Sequence, residues 1–167
     1  MGDIRKNHKK FERPRKAYDS KRIEEENSLV AKYGLKNKRE IWKADFAVKI
    51  IRGNAKTLIT AEENEKNEFI ERLQKKGFNI KSIGDALALT KEAVLQRRLQ
   101  SVLVDKKLAR SPKHARQLIV HKHVAIDGRK VNVPSYQVFE DEENKISLVL
   151  KAMPIKKNNE AQIKNGN

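Results

Sequence analysis

Leu108-Ala109-Arg110-Ser111-Pro112-Lys113-His114-Ala115-Arg116-Gln117-Leu118-Ile119-Val120-His121-Lys122-His123 runs directly into Val124-Ala125-Ile126-Asp127-Gly128-Arg129-Lys130-Val131. Ser111-Pro112 is a helix start, an N-cap side chain followed by the one residue whose missing N–H costs nothing at the first helical position. The helix is expected to run to about Val120 and to bury Ala115, Leu118 and Ile119. Asp127-Gly128 between two extended segments signals a two-residue hairpin, because both central residues of such a turn need positive φ. A capped helix followed at once by a tight hairpin is the core of the fold. Lys113, Arg116, Gln117 and His121 recur at spacings of three or four and share the other side of the helix. Arg110, Lys122, Arg129 and Lys130 sit on the adjoining loops, and Arg97 and Arg98 open the arrangement. Ser111 also leaves backbone N–H groups pointing outward, where the macrodipole favours a phosphate. The spacing therefore describes a rigid cationic ridge suited to a folded RNA backbone and its 2′-hydroxyls.

Upstream, Thr90 caps a helix over about 91–106, with Val94, Leu95, Leu99, Val102 and Leu103 at helical spacing. Ser82-x-x-Asp85 starts a short helix. Thr60-Ala61-Glu62-Glu63 reads as a capping box for a helix ending at Gly77, on which Glu62/Lys66, Glu68/Arg72 and Glu71/Lys75 are acid-before-base pairs. Asn37 opens an earlier helix, with Glu40 in the capping-box position and an end near Gly53. Its Ile41, Trp42, Phe46, Val48, Ile50 and Ile51 form a broad apolar face. Trp42 is either core or a base-stacking platform. Asp19 or Ser20 caps the first helix, through about Lys32, with Gly34 as its stop. Downstream, strands are expected over about 136–139 and 146–150, with Asp141 to Glu143 as a turn between them.

These elements predict an α+β protein. A basic arm over 1–18 is expected to be disordered until it meets a partner, being too charged to pack alone. A helical N-terminal domain covers 19–90, a helix–helix–β-hairpin module with a small sheet covers 91–150, and a disordered tail covers 151–167.

Charge says what kind of partner to expect. The 167 residues include 38 Lys and Arg against 22 Asp and Glu, a formal charge of +16. Residues 1–22 carry +6, 36–56 carry +5 and 91–133 carry +8, while 134–149 carry −3. Three basic blocks separated by acidic or neutral spacers imply several contact surfaces. Nucleic acid accounts for them most economically, since each neutralised phosphate releases condensed counterions. Lys38, Arg39, Lys43, Lys49 and Arg52 are candidate phosphate ligands on the second helix. Arg5, Lys6, Lys9, Lys10, Arg13, Arg15 and Lys16 form the arm. No apolar run approaches the ~18 residues of a membrane span, and no secretory signal is expected.

Catalytic and metal chemistry find no motif. There is no cysteine, so thiolate zinc sites and Cys nucleophiles are excluded. Seven scattered glycines form neither a dinucleotide fingerprint nor a phosphate loop. His121 and His123 with Lys122 between them are a poor metal pair, so neither a metal nor another cofactor is expected. The protein is not expected to be an enzyme.

Arg98-Leu99-Gln100-Ser101-Val102-Leu103, the 108–119 stretch, His121-Lys122-His123-Val124 and Asp127-Gly128-Arg129-Lys130-Val131-Asn132-Val133-Pro134-Ser135-Tyr136 together resemble the S-four RNA-binding domain. That module also occurs in pseudouridine synthases, a class of tyrosyl-tRNA synthetases and ribosome-rescue factors. Tyr33-Gly34-Leu35-Lys36-Asn37-Lys38-Arg39-Glu40-Ile41-Trp42, the Arg/Lys/Pro arm and Leu95-Gln96-Arg97-Arg98-Leu99-Gln100 resemble the small-subunit ribosomal protein four family in its archaeal and eukaryotic form. The likeness covers about 3–150 and, by length, points to the archaeal type.

The resemblance implies a cytoplasmic constituent of the small ribosomal subunit, a primary binder of its ribosomal RNA that organises a helix junction during assembly. It further implies an interface with small-subunit ribosomal protein five and other subunit proteins, a place near the mRNA entry path, and an influence on decoding fidelity. Ser111, Lys113, Arg116, Gln117, His121, Lys122 and Arg129 match the module's RNA-facing positions. Lys113 and Arg116 are expected on phosphates, while Gln117 and His121 either join them or hold the hairpin. On this reading, replacing Lys113 and Arg116 together by Ala weakens RNA binding and leaves thermal unfolding nearly unchanged. The alternative is a free regulatory or rescue factor using the same ridge on ribosomal or transfer RNA. A DNA-binding or catalytic protein comes third.

Overall fold

The computed structural model describes residues 10–149. Eight helices and a three-stranded antiparallel sheet appear among them, distributed over two hydrophobic cores, so the α+β expectation holds. Arg5 and the rest of 1–9, like the tail from 151, lie outside the described residues.

The first core is helical. α1 (Ser20–Tyr33) ends where Gly34 turns left-handed at φ +58°, and the Leu35 N–H closes back on the Val30 carbonyl at 3.1 Å. α2 (Arg39–Thr57) presents buried Ile41, Ala44, Val48 and Ala55. It does not stop at Gly53. Ala55 is fully buried and Leu58 packs on the same core, so tertiary burial carries the helix through an exposed glycine. A 3₁₀ turn, Leu58–Thr60, leads to α3 (Glu63–Lys75). Thr60 belongs to that turn and caps nothing; α3 begins after Glu62 with no side-chain cap. The reciprocal capping box lies at α4 (Ile83–Ala88), where Ser82 Oγ accepts from the Asp85 N–H at 3.2 Å and Asp85 Oδ2 accepts from the Ser82 N–H at 3.0 Å. α5 (Lys91–Gln96) adds Val94 and Leu95 to this first core, past the expected limit of the N-terminal domain at residue 90.

The helix expected over 91–106 is broken. Arg98 is extended, at φ −75° and ψ 143°, and α6 (Leu99–Asp105) starts after it. The break follows from a competing pairing: Leu99 N–H donates to the Tyr136 carbonyl at 2.8 Å and Val138 N–H to the Arg97 carbonyl at 3.0 Å. Residues 136–139 therefore make one bridge, Arg98 to Gln137, in place of the expected strand. The 97–98 step divides the cores. Leu99, Val102, Leu103, Ala115, Leu118, Ile119, Val124, Ile126 and Val138 form the second.

α7 (Pro112–Val120) starts as its sequence requires, with Ser111 Oγ accepting from the His114 N–H at 3.2 Å and Pro112 at the first helical position. β1 (Val124–Ile126) is buried throughout and pairs with β2 (Arg129–Lys130) on one side and β3 (Ile146–Leu148) on the other. Asp127 at φ +49° and Gly128 at φ +76° make the two-residue turn. The acidic run forms a short helix, α8 (Glu140–Glu143). Glu142 accepts the Tyr136 hydroxyl at 2.8 Å and Glu143 pairs with Arg97 at 2.8 Å.

The arm over 1–18 is anchored in its described part. Phe11 stacks on Trp42 with centroids 6.4 Å apart, Glu12 meets Lys49 at 2.7 Å, and Arg22 donates to the carbonyls of Lys16 and Ala17.

Candidate nucleic-acid interface

The surface cations divide into two populations. Arg110, Lys113, Gln117, His121, Lys122, Arg129 and Lys130 are exposed around α7 and the hairpin. α7 fixes the backbone of Lys113 and Gln117 because its opposite side, Ala115, Leu118 and Ile119, is locked into the second core, and the hairpin carrying Arg129 and Lys130 is held by buried β1. Ser111 is half-buried, and its hydroxyl closes the helix start. On the N-terminal side, Arg13, Arg15, Lys16, Arg39, Lys43 and Arg52 are exposed. Arg39 lies over the Phe11 ring at 5.2 Å, and Arg52 ties α2 to the end of α4 by donating to the Leu89 carbonyl at 2.7 Å.

The other population faces inward. Arg98 is 5% exposed and pairs with Glu40 Oε2; Arg116 Nη2 donates to Glu40 Oε1 at 2.9 Å. Glu40 thus bridges the two cores, joining α2 to the start of α6 and to α7. From their sequence positions Glu40 is expected in a capping box and Arg98 and Arg116 on the RNA; the structure turns both arginines to Glu40 instead. The Glu40 carboxylate does accept the Lys36 N–H at 3.2 Å, but its principal partners are 58 and 76 residues away. Burial alone pushes the Glu40 carboxyl up; hydrogen bonds and charge from Arg116 and Arg98 outweigh it, and the group sits below the usual carboxylate value. Arg97 is likewise engaged, with Glu143 and the Val138 carbonyl, and lies across Gly77, where a Cβ would stand 2.2 Å from its guanidinium.

Another carboxylate, Glu26, is buried and is held by Arg22 at 2.7 Å, Lys38 at 3.5 Å and the Trp42 indole N–H at 3.0 Å. Burial raises this carboxyl too, and hydrogen bonds from Trp42 and Arg22 bring it below its ordinary value. Trp42 is accordingly a packed, hydrogen-bonded side chain under Phe11, and Lys38 is partly neutralised.

Gln100 completes the junction. It is buried, and its side-chain amide donates toward the carbonyls of Tyr33 (3.1 Å), Gly34 (3.0 Å) and Pro112 (2.8 Å). Arg116 also approaches the Gly34 carbonyl at 3.5 Å. The C-terminus of α1 and the N-terminus of α7 are thus stitched by one amide, a role sequence reasoning missed. The only local hint was a polar residue flanked by the apolar run of α6.

No helix among the described residues is long and apolar enough to cross a membrane, and none of their His, Asp and Glu side chains form a group of three able to hold a metal. The arrangement offers two cationic faces, one on α7 and the hairpin and one along α2, held in one relative orientation by Glu40 and Gln100.

The sequence is similar to a known domain family and to known proteins. The S4 domain family matches residues 97–143, beginning at the step that divides the two cores. The small ribosomal subunit protein uS4 of Korarchaeum cryptofilum is 44% identical over 154 residues, covering 89% of this chain and 93% of that protein. Its counterpart in Methanothermobacter thermautotrophicus is 43% identical over 167 residues, covering 96% and 97%. That of Methanoregula boonei is 44% identical over 163 residues, covering 91% and 88%.

Proposed function

The chain belongs to the uS4 family of small ribosomal subunit proteins, and from that premise we propose that it is a non-enzymatic structural constituent of the small subunit that binds ribosomal RNA on two fixed cationic faces. The observation carrying this reading is the division of its cations. Arg97, Arg98 and Arg116 brace the junction, while Arg110, Lys113, Lys122, Arg129 and Lys130 stand free on a rigid ridge. Electrostatic binding of this kind needs no conformational search, because the helix and hairpin that carry the charges are packed before RNA arrives.

Two faces at one angle suit a meeting point of RNA helices, so the protein organises a helix junction during assembly. Holding that junction rigid supports decoding fidelity. Small-subunit ribosomal protein five and mRNA near the entry path are the partners proposed with it.

UV crosslinking in the native cells, with sequencing of the attached RNA and a sedimentation profile, tests this reading. Reads concentrated at one small-subunit RNA junction, with the protein stoichiometric in small subunits, are the expected result. Reads on transfer RNA or scattered messages, with most protein unbound, would make it a free factor instead.

A further inference from the structure

Between the two cores, beside the Glu40 bridge, lies a cleft of about 370 Å³. Lys43, Arg98, Arg116, Ser135 and Gln137 supply its polar lining, and Ala47 and Val94 are part of an apolar wall. Three cations share the cleft with one carboxylate, and that carboxylate is already held by both arginines. The site therefore keeps an excess of positive charge. Arg98 is more than nine-tenths buried, yet its Nε and Nη1 groups have no hydrogen-bond acceptor. Buried guanidinium donors without acceptors are costly, so the place favours a further hydrogen-bond acceptor, and the excess positive charge around it favours an anionic one.

We propose that this cleft binds a single unstacked ribonucleotide of the RNA, its phosphate drawn to the Lys43, Arg98 and Arg116 charges and its base laid on the apolar wall. The inference rests on the RNA-binding reading and deepens it. The volume is in the range of small-ligand sites. A bare anion would need no apolar wall, whereas a splayed-out base has an apolar face and hydrogen-bonding edges for Ser135 and Gln137. Ser135 and Gln137 lie in the segment whose backbone bridge, Arg98 to Gln137, shapes the cleft, so the same pairing that breaks the helix builds the site.

The test is titration of the full chain with AMP and, separately, inorganic phosphate, followed by amide ¹H–¹⁵N spectra. Binding of small-subunit ribosomal RNA is measured in parallel. AMP is expected to shift amides at 43–47, 94–98 and 135–137 saturably and more tightly than phosphate does. Ala47→Phe, which fills the cleft, should weaken AMP binding at least about tenfold. Should that variant unfold, Ser135→Ala with Gln137→Ala gives the same comparison and should weaken AMP severalfold. Equal binding of phosphate and AMP would overturn the nucleotide and leave an anion site. Unmoved cleft amides, or shifts confined to α7, would overturn the cleft while RNA binding stands. Absence of RNA binding by the wild-type chain would remove the reading on which the inference rests.

Discussion

Arg116 Nη2 donates to Glu40 Oε1 at 2.9 Å across 76 residues of chain, and Arg98 meets the other oxygen of the same carboxylate. One acidic side chain on α2 therefore sets where α6 and α7 stand against the N-terminal helices. A partly buried ion-pair cluster of this kind contributes little net stability compared with an apolar replacement, but removing Glu40 leaves the buried Arg98 charge uncompensated. Its value here is orientation.

Glu40→Gln should accordingly destabilise the protein by about 3 kcal/mol, because buried Arg98 keeps its charge and loses its counterion. Urea denaturation at neutral pH measures this. Glu40→Leu combined with Arg98→Met removes the carboxylate and the more buried of its two arginines, leaving only the partly exposed Arg116 without a counterion, and should recover part of the loss. A double variant no better than Glu40→Gln would show that the interaction is more than charge compensation.

Acid should loosen the same junction. Glu40 and Glu26 both lie below the ordinary carboxylate value in the folded protein, and an unfolded glutamate titrates near ~4.3. Depressed folded values mean that their stabilisation is complete above the unfolded value and disappears as pH falls through the folded ones. Denaturation midpoints followed from pH 7 downward should fall in the acid limb, and less steeply in Glu40→Gln. An acid limb identical in wild type and variant would exclude Glu40 as the titrating group.

Gly34 stands where α1 meets α7. Its φ is +58°, and a Cβ there would lie 2.8 Å from Pro112 Cβ and 3.1 Å from Gln100 Nε2. Gly34→Ala should cost about 1–2 kcal/mol for the left-handed backbone alone, with the contact adding to it. At this chain length each kcal/mol lowers the melting temperature by roughly 2–4 °C, which calorimetry resolves. An unchanged melting temperature would mean the α1–α7 junction yields freely.

Lys113 and Arg116, one turn apart on α7, should respond differently. Lys113→Ala should weaken RNA binding, lower the slope of log affinity against log salt by about 0.7–0.9, and leave stability within ~0.5 kcal/mol. Arg116→Ala should lower the denaturation midpoint as well, since it removes a Glu40 partner. The sequence-based expectation that both could be replaced without thermal effect is thereby revised. Equal stability of the two single variants would return Arg116 to the ridge.

Most of the elements were readable before the structure because their causes act within about four residues. Ser111-Pro112, Ser82-x-x-Asp85, the Gly34 stop and Asp127-Gly128 each contain donor, acceptor or turn geometry in one short stretch, and each appears where expected. The errors share the opposite property. The helix over 91–106 breaks at Arg97–Arg98 because residues 136–138 compete for its backbone hydrogen bonds. Thr60 and Asn37 carry capping patterns that neighbouring turns and distant arginines override.

By itself, the sequence determined a basic, cysteine-free α+β chain with a capped helix, a tight hairpin and a ridge of cations, since charge and local turn chemistry are properties of the residues themselves. Only the tertiary structure decided which cations face solvent. Lys113 and Arg116 have the same charge and neighbouring positions, and the difference between them is the arrival of Glu40 from 76 residues away. A residue's type states what it could bind, but its environment, assembled by packing two cores against each other, selects which partner it meets.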